Sequence, residues 1–180
     1  MPVAIKKYEN EVPLSLNAFI SEIECYSKTP CPFIVQILGA YQEGPFSYLV
    51  TELSPYGALS ECIGDLSEPM RIRACIQVAQ ALDFLHTKEL VHHRDIKSEN
   101  VLVFSKSIHV KICDFGIAKR IQDDQMPVIG ASSPPSCVNS TQSIGTVPWM
   151  APEFIEQKVF STKSDIYSFG IFMYEVFVSK

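Results

Sequence analysis

Apolar residues recur with two different periods along the chain, and the change of period divides it. In the first part, the β-branched run VAIKK (residues 3–7) predicts a strand. Segment 13–27 has helical spacing, carried by Leu16, Phe19, Ile20 and Ile23. The runs FIVQILGAY and FSYLVTEL flank QEGP, whose Gly-Pro pair is typical of a turn, so they predict an antiparallel hairpin. We therefore expect residues 1–54 to form a small β-rich lobe.

The second part, residues 55–180, is predicted to be mainly helical. Pro55 and Gly57 mark the expected hinge between the two parts. Ser67 can cap a helix that has Pro69 in its first turn. Apolar residues then recur at three- and four-residue steps, which predicts a helix of about five turns. They are Ile72, Ile76, Ala79, Leu82 and Leu85.

Two further segments complete the expected α+β arrangement. Val110 and Ile112 alternate with Lys111, as in a short strand. The most apolar window, residues 166–178, is too short to cross a bilayer, and we expect it to be a buried helix.

Composition and charge disfavour several classes of partner. The 180 residues are 47% hydrophobic and 19% charged, which is typical of a globular protein. A net charge of -5 disfavours binding to nucleic acid or to an anionic membrane. The six cysteines form no CxxC pair and have no zinc-ligand spacing. No secretory signal is apparent, so we expect a cytoplasmic protein with reduced thiols and no membrane segment.

One polar cluster, HRDIKSEN (residues 93–100), carries the groups that phosphoryl transfer requires. Asp95 can accept the proton of an acceptor hydroxyl, and Lys97 can neutralise charge on the transferred group. Asn100 can offer a carbonyl oxygen to a metal ion, with Asp114 as the second ligand. Hard oxygen donors favour magnesium over zinc. The hypothesis requires Asp95 and Asp114 to share one cavity; taken singly, each could be an ordinary turn or capping aspartate.

Five short motifs follow one another along the chain: VAIK (3–6), HRDIKSEN (93–100), DFG (114–116), APE (151–153) and SDIYSFG (164–170). Through these motifs and their order, the chain resembles the protein kinase superfamily over nearly its whole length. The resemblance implies a bilobal α+β fold, ATP and Mg²⁺ as cofactors, and protein substrates with Ser or Thr acceptors. Because the motifs occur jointly, the ordinary explanation of each single residue becomes the weaker one.

The resemblance also assigns expected roles within the nucleotide site. Lys6 resembles the lysine that binds the α and β phosphates, and Glu22 resembles its helix partner. Glu24 is two positions further on, about 200° around a helix, so only one of the two glutamates can face Lys6.

Other residues are expected around the adenine and ribose. Thr51 resembles the residue that controls access behind the base, and the backbone from Glu52 to Ser54 is expected to hydrogen-bond it. Glu61 lies where the family often contacts ribose. Ala4 and Leu102 are expected to sandwich the ring.

In the core, the resemblance implies structural roles rather than chemical ones. His93 and Phe115 resemble members of the family's apolar spine, joined by Ile37 and Tyr26. Asp165 is expected to anchor the catalytic loop from beneath.

The substrate class follows from two stretches. Lys97 in the loop and GTVPWMAPE (residues 145–153) match serine/threonine-type members, with a weaker resemblance to the tyrosine-kinase-like group. Thr146 is expected to bond to both Asp95 and Lys97.

Arg94, beside the catalytic aspartate, implies a pairing with a phosphate on the loop before APE. Thr141 and Ser143 are the nearest candidate acceptors, and the sequence does not choose between them and Ser132, Ser133, Ser136 and Ser140. The alternative is a hydroxyl-rich loop that is merely solvated.

The family's glycine-rich loop and its last helices are expected to lie outside these 180 residues, so the resemblance implies a catalytic domain truncated at both ends. Glu153 would then lack its usual arginine partner, and apolar faces of one helix would be exposed. Those faces carry Phe169, Phe172, Met173 and Phe177. Two functions stay open: a partial Ser/Thr kinase domain, or a catalytically inactive kinase-like fragment that acts as a protein-interaction module.

Overall fold

The computed structural model describes residues 2–11, 13–25, 30–89, 91–121, 145–157 and 159–178. Within these ranges the strands are β1 (Val3–Glu9), β2 (Ile37–Glu43), β3 (Phe46–Glu52), β4 (Val91–His92), β5 (Val101–Ser105), β6 (His109–Ile112) and β7 (Lys119–Arg120). The α-helices are α1 (Pro13–Cys25), α2 (Leu59–Cys62), α3 (Glu68–Phe84), α4 (Pro152–Gln157) and α5 (Thr162–Val178). Single helical turns occur at Ile63–Asp65, Leu85–Glu89, Ser98–Asn100 and Val147–Trp149.

Strands β1, β3 and β2 form an antiparallel sheet in that order. The register pairs Lys6 with Leu49 and Lys7 with Tyr48, so alternate residues of β1 face opposite sides of the sheet. Both the predicted first strand and the predicted hairpin are confirmed. Helix α1 lies against one face of this sheet, where the rings of Tyr8 and Phe19 are 5.3 Å apart. Phe19 is buried as its spacing predicts.

Strands β5 and β6 form a second antiparallel pair, and helix α3 packs against it. Gln77 of α3 is hydrogen-bonded to β6, because its Oε1 accepts the backbone N–H of Val110 at 2.7 Å. The helix has the predicted length, and its buried face matches the predicted one in part: Leu82 and, just after the helix, Leu85 are buried as predicted. Ile72 and Ile76 are 45% and 52% exposed.

The face of α3 that enters the core is built mainly from small side chains. They are Ala74, Cys75, Val78, Ala81 and Leu82. Small residues allow a close approach to the neighbouring strands, so the two isoleucines are left on the outer side of the helix.

Helix α5 contributes Phe172 and Val176 to the same core. The expectation that Phe172 would be exposed is wrong, since its side chain is 0% exposed and stacks on Phe169 at 6.0 Å. Met173 and Phe177 are exposed as expected. No helix in the described ranges combines the length and the apolar character needed to cross a membrane.

Backbone hydrogen bonds connect the three-stranded sheet region to the β5–β6 pair. The N–H of Val35 donates to Ile112 at 3.0 Å, and the N–H of Ile112 donates to Phe33 at 2.9 Å. These bonds place the end of β6 beside the sheet that carries Lys6. The separation of a small sheet from a mainly helical part confirms the predicted α+β class.

Candidate active site

The start of the loop from His93 to Asn100 is held by a buried carboxylate of helix α5. Asp165 accepts the backbone N–H of His93 at 2.9 Å and that of Arg94 at 2.8 Å. His86 Nε2 lies 2.8 Å from the same side chain. Burial alone raises the pKa of Asp165, but the hydrogen bond from His86 and the nearby donors lower it below its ordinary value. The expectation that Asp165 anchors this loop is confirmed, and His86 is a partner that was not predicted.

Arg94 has a φ of 72°, in the left-handed region that non-glycine residues seldom adopt. Its guanidinium carbon lies 5.1 Å from the centre of the Phe160 ring. Thr141 and Ser143, the predicted phosphate acceptors for this arginine, lie outside the described residues.

Asp95 is fixed through both of its carboxylate oxygens. Oδ1 accepts the Thr146 backbone N–H at 3.0 Å and the Thr146 hydroxyl at 2.8 Å. Oδ2 accepts Asn100 Nδ2 at 2.8 Å and lies 3.3 Å from Lys97 Nζ. Lys97 also donates to Thr146 Oγ1 at 2.7 Å, so both predicted contacts of Thr146 are confirmed. The carboxylate therefore has one defined orientation.

Lys97 is a cation in this network. Burial alone lowers the pKa of Lys97, but the carboxylates of Asp95 and Glu99 outweigh it and raise that pKa above its ordinary value. The ammonium beside Asp95 consequently stays charged at neutral pH.

Asp114 follows the end of β6 with a φ of 64°, which turns its side chain toward Lys6. Lys6 Nζ lies 2.7 Å from Asp114 Oδ1 and 3.0 Å from Glu22 Oε2. Burial raises the pKa of Asp114, but the ammonium of Lys6 lowers it below its ordinary value. Burial alone lowers the pKa of Lys6. The carboxylates of Glu22 and Asp114 outweigh this effect and raise the pKa of Lys6 well above its usual range. Lys6 and Asp114 are therefore both ionised at neutral pH.

Glu22, rather than Glu24, faces the lysine. The side chain of Glu22 is buried, whereas Glu24 is exposed. Besides Lys6, the carboxylate of Glu22 accepts the hydroxyl of Tyr8 and, at 3.3 Å, the backbone N–H of Phe115. Tyr8 was not predicted to take part in the site.

Asp95 and Asp114 line the same cavity, which has a volume of about 240 Å³. Its other lining residues are Ile117, Gly145 and Thr146. The Cys113 N–H donates to the Asn100 carbonyl at 2.9 Å, which places Asn100 beside the residue that precedes Asp114. Asn100 Nδ2 is committed to Asp95, so the side-chain oxygen is the atom of Asn100 that can serve as a ligand. A carboxylate and an amide oxygen suit a hard cation such as Mg²⁺.

None of the residues predicted to bind adenine or ribose lines this cavity. Glu52 Oε1 accepts Lys111 Nζ at 2.6 Å and the Gln36 N–H at 2.7 Å, so its carboxylate joins β3 to β6. Ser54 Oγ donates to the carbonyl of Val103 on β5.

Two other predicted residues flank the start of α2. Leu102 on β5 is half-buried and forms an antiparallel bridge with Ala58. Glu61, in the first turn of α2, has its carboxylate against Gly57, whose φ of 71° suits a glycine. Ala4 pairs with Thr51 across the β1–β3 ladder. These positions surround the segment that connects the sheet to the helical part.

A family model described as protein tyrosine and serine/threonine kinase matches residues 1–180. The chain belongs to the protein kinase family. Its α+β fold is the kinase catalytic-domain fold, with the sheet and the helical part as its two portions.

Curated relatives include kinases of both acceptor types. The chain is 32% identical to the probable serine/threonine-protein kinase SIS8 of Arabidopsis thaliana, over 97% of the chain and 16% of that protein. It is 32% identical to the Arabidopsis serine/threonine-protein kinase CTR1, over 89% of the chain and 19% of that protein. It is 30% identical to the Drosophila melanogaster tyrosine-protein kinase Btk, over 95% of the chain and 21% of that protein. The chain thus spans about a fifth of the length of these relatives.

Within the kinase domain, the predicted spine contact between His93 and Phe115 is confirmed, since their ring centres are 4.9 Å apart. Ile37 packs against the same core, and Tyr26 lies outside the described residues. Cys113 precedes the DFG motif, and burial raises the pKa of its thiol to about 12. That thiol is neutral at physiological pH.

Glu153 of the kinase APE motif has a hydrogen-bond partner. Its Oε1 accepts the hydroxyl of Ser164 at 3.1 Å. In place of the family's usual arginine, a hydroxyl in the first turn of α5 therefore donates to this carboxylate.

Glu175 of α5 connects two parts of the kinase site. Its carboxylate accepts the backbone N–H of Ser98 at 3.2 Å and also the hydroxyl of Ser98. It accepts the indole N–H of Trp149 at 3.2 Å. The loop from His93 to Asn100 and the turn that follows Thr146 are thereby joined to one helix.

Proposed function

We propose that this kinase domain transfers the γ-phosphate of ATP to serine and threonine hydroxyls of proteins, with Mg²⁺ as cofactor. The observation that carries the proposal is the shared cavity of Asp95 and Asp114, beside the Lys6–Glu22 ion pair. Phosphoryl transfer needs carboxylates, an amide oxygen and ammonium groups in one place. Here they belong to Asp95 and Asp114, to Asn100, and to Lys6 and Lys97.

Asp95 is the proposed catalytic residue. Thr146 and Asn100 hold its two oxygens in place, so the carboxylate needs little reorganisation when an acceptor hydroxyl enters the cavity. Asp95 would orient that hydroxyl and accept its proton. Lys97, 3.3 Å from Asp95, would stabilise negative charge on the group being transferred.

Asn100 and Asp114 are the proposed magnesium ligands. When bound, magnesium supplies positive charge against the phosphate oxygens. Lys6 is proposed to contact the phosphates, and Glu22 holds its ammonium at 3.0 Å.

The remaining nucleotide contacts are proposed for the segment between the two parts of the fold. The backbone from Glu52 to Ser54 would hydrogen-bond the adenine, Leu102 would pack against it, and Glu61 would reach the ribose. The proposed parts are residues 1–54 and 55–180, divided after Ser54.

The preference for serine and threonine is supported by the Lys97–Thr146 pair. Lys97 donates to Thr146 Oγ1, and Thr146 in turn donates to Asp95. Names of curated relatives include both acceptor types, so the preference has its own test. Three peptides that differ only in a Ser, Thr or Tyr acceptor should give rates in which Ser and Thr far exceed Tyr. The opposite order would overturn the preference and leave the kinase activity intact.

Nucleotide binding is tested by thermal unfolding with and without Mg-ATP. Binding to the folded state adds about 2.7 kcal/mol of stability at a nucleotide concentration about 100 times Kd, so the midpoint should rise. Asp114→Asn should reduce that rise. The same reduction in Asp83→Asn, an exposed position on α3, would show that the effect is not specific.

Chemistry is tested by phosphorylation of a protein substrate. Asp95→Asn should lower the rate about 10²-fold to 10⁴-fold, the usual contribution of a general base, with Mg-ATP binding retained. Equal incorporation by the two proteins would contradict the proposal.

A second candidate is a catalytically inactive interaction module, and one observation favours it. Helix α5 exposes apolar side chains to solvent, including Met173, Tyr174 and Phe177. Exposed apolar surface of this kind is typical of protein-protein contacts. The absence of both a Mg-ATP effect and Asp95-dependent phosphorylation would favour this candidate. A cytoplasmic location and the absence of a nucleic-acid partner stay predictions for either function.

A further inference from the structure

Tyr8 lies two residues after Lys6 on β1, and residues two apart on a strand face the same side of the sheet. Its side chain is buried, and its hydroxyl donates to Glu22 Oε2. Lys6 Nζ pairs with the same carboxylate oxygen at 3.0 Å. The carboxylate that holds the lysine is therefore itself held by a neighbour on the lysine's own strand.

Glu22 needs such a donor because it is only 1% exposed. A buried carboxylate is costly unless its oxygens are paired. Lys6 cannot serve Glu22 alone, because its ammonium is shared with Asp114 and lies closer to that residue, at 2.7 Å against 3.0 Å. The hydroxyl of Tyr8 is a donor to Glu22 that does not depend on Asp114.

Tyr8 also contacts helix α1 through its ring. The ring centre lies 5.3 Å from that of Phe19, which is three residues before Glu22 and on the same face of the helix. Lys6 Nζ lies 5.3 Å from the centre of the same ring. The Tyr8 side chain thus contacts two adjacent turns of α1, at Phe19 and Glu22, and it also contacts Lys6.

We propose that Tyr8 is a positioning residue that keeps Glu22 directed at Lys6 and α1 seated on the sheet. The inference rests on the proposed function, since its kinetic consequence requires Lys6 to bind nucleotide. Its structural consequence, the seating of α1, does not.

The test is Tyr8→Phe, which removes the hydroxyl and keeps the ring. A hydrogen bond to a charged group is usually worth enough to change an equilibrium about tenfold or more. We therefore expect the KM for ATP to rise about tenfold, with the KM for a protein substrate unchanged. Tyr48→Phe is the matched control, because Tyr48 pairs with Lys7 and lies on the opposite face of the same sheet. It should leave both constants unchanged.

The role of Glu22 is tested in the Glu22→Gln background. If Tyr8 acts through this carboxylate, adding Tyr8→Phe there should change the KM for ATP by much less than in the otherwise unchanged protein. A full, additive effect would overturn the proposal. An unchanged KM for ATP in Tyr8→Phe alone, in an active protein, would also overturn it.

Hydrogen exchange separates this proposal from the proposed function. Tyr8→Phe should accelerate amide exchange in α1 (Pro13–Cys25) without nucleotide, and Tyr48→Phe should not. Unchanged exchange overturns the seating role whatever the kinetics show. Faster exchange, in a protein that binds no Mg-ATP, would support the seating role while the proposed function fails.

Discussion

Asp165 and His86 are 79 residues apart in sequence, and the Asp165 carboxylate lies 2.8 Å from the His86 imidazole. The same carboxylate accepts the backbone N–H groups of His93 and Arg94, at the start of the loop that contains Asp95. Asp165→Ala would remove the acceptor of the buried His93 N–H, of the partly buried Arg94 N–H and of the partly buried His86 imidazole. We expect a loss of about 3 to 5 kcal/mol in the free energy of unfolding, measured by denaturant titration. A loss below about 1 kcal/mol would contradict the anchoring role.

The same residue predicts a pH dependence. The pKa of Asp165 is lower in the folded state than its ordinary value, so the ionised form stabilises the fold. This contribution is fully present above the unfolded pKa, about 3.9, and is lost as pH falls toward the folded pKa. The stability difference between the protein and Asp165→Asn should be constant near neutral pH and should shrink below about pH 4. A difference that grows on acidification would contradict this sign.

Glu52 and Lys111 form an ion pair of 2.6 Å whose side chains are largely shielded from solvent. Lys111→Met would remove the ammonium that donates to Glu52 and leave the Gln36 N–H, at 2.7 Å, on this carboxylate, which should cost about 1 to 3 kcal/mol of stability. Adding Glu52→Gln to this variant should recover part of the loss, because the uncompensated charge is removed. Denaturant unfolding of both single variants and the double variant measures the coupling. Additive losses would show that the two side chains do not interact.

Gly145 lines the cavity with a φ of 94°, and a Cβ there would lie 2.9 Å from the Arg94 carbonyl oxygen. Gly145→Ala therefore combines an unfavourable backbone conformation with a clash against backbone, and it should cost about 1 to 3 kcal/mol. Gly39→Ala is the control, because a Cβ at Gly39 meets nothing within 4 Å. Thermal unfolding of the two variants should show the loss at Gly145 only. Equal midpoints would contradict the steric argument.

The hydroxyl of Thr146 joins Asp95 to Lys97. Thr146→Val keeps the shape of the side chain but removes this link, whereas Thr146→Ser keeps the hydroxyl. Val removes both hydrogen bonds of this hydroxyl, and one bond alone is worth about 1.4 kcal/mol, so we expect Val to lower kcat for phosphorylation by about tenfold or more. We expect Ser to retain most of the kcat. Steady-state rates at saturating Mg-ATP measure the difference. Equal rates for Val and Ser would exclude a role for the hydroxyl.

Local sequence patterns predicted the positions of the helices and strands better than they predicted which side of each helix is buried. The length of α3 follows from its spacing, but hydropathy favours Ile72 and Ile76 as its core, whereas the core receives the smaller Ala74 and Cys75. A helix that packs closely against β6 needs small side chains at the contact. The spacing of apolar residues shows which positions are apolar but does not show which of them must be small. Phe172 shows the reverse case, since α5 buries a residue that was expected to be exposed.

The site was predictable wherever a motif contains the residue. Asp95 and Asp114 were expected to share a cavity, and they do. Tyr8 belongs to no motif, although its two-residue spacing from Lys6 on a strand was a usable signal. His86 carries no such signal, because its partner is distant in sequence and only the tertiary fold brings them together.

Trp149 is the only tryptophan in the chain, and its indole N–H donates to the Glu175 carboxylate, which also accepts the backbone N–H of Ser98. Intrinsic indole fluorescence therefore comes from a single place in the molecule, next to the groups proposed to act on substrate. A shift in emission on adding Mg-ATP or a protein substrate would be a local signal that requires no label. Glu175→Gln removes the charge beside the indole and should change the emission without any ligand. That variant would show how strongly the fluorescence of Trp149 responds to a change at the contact between α5 and the loop.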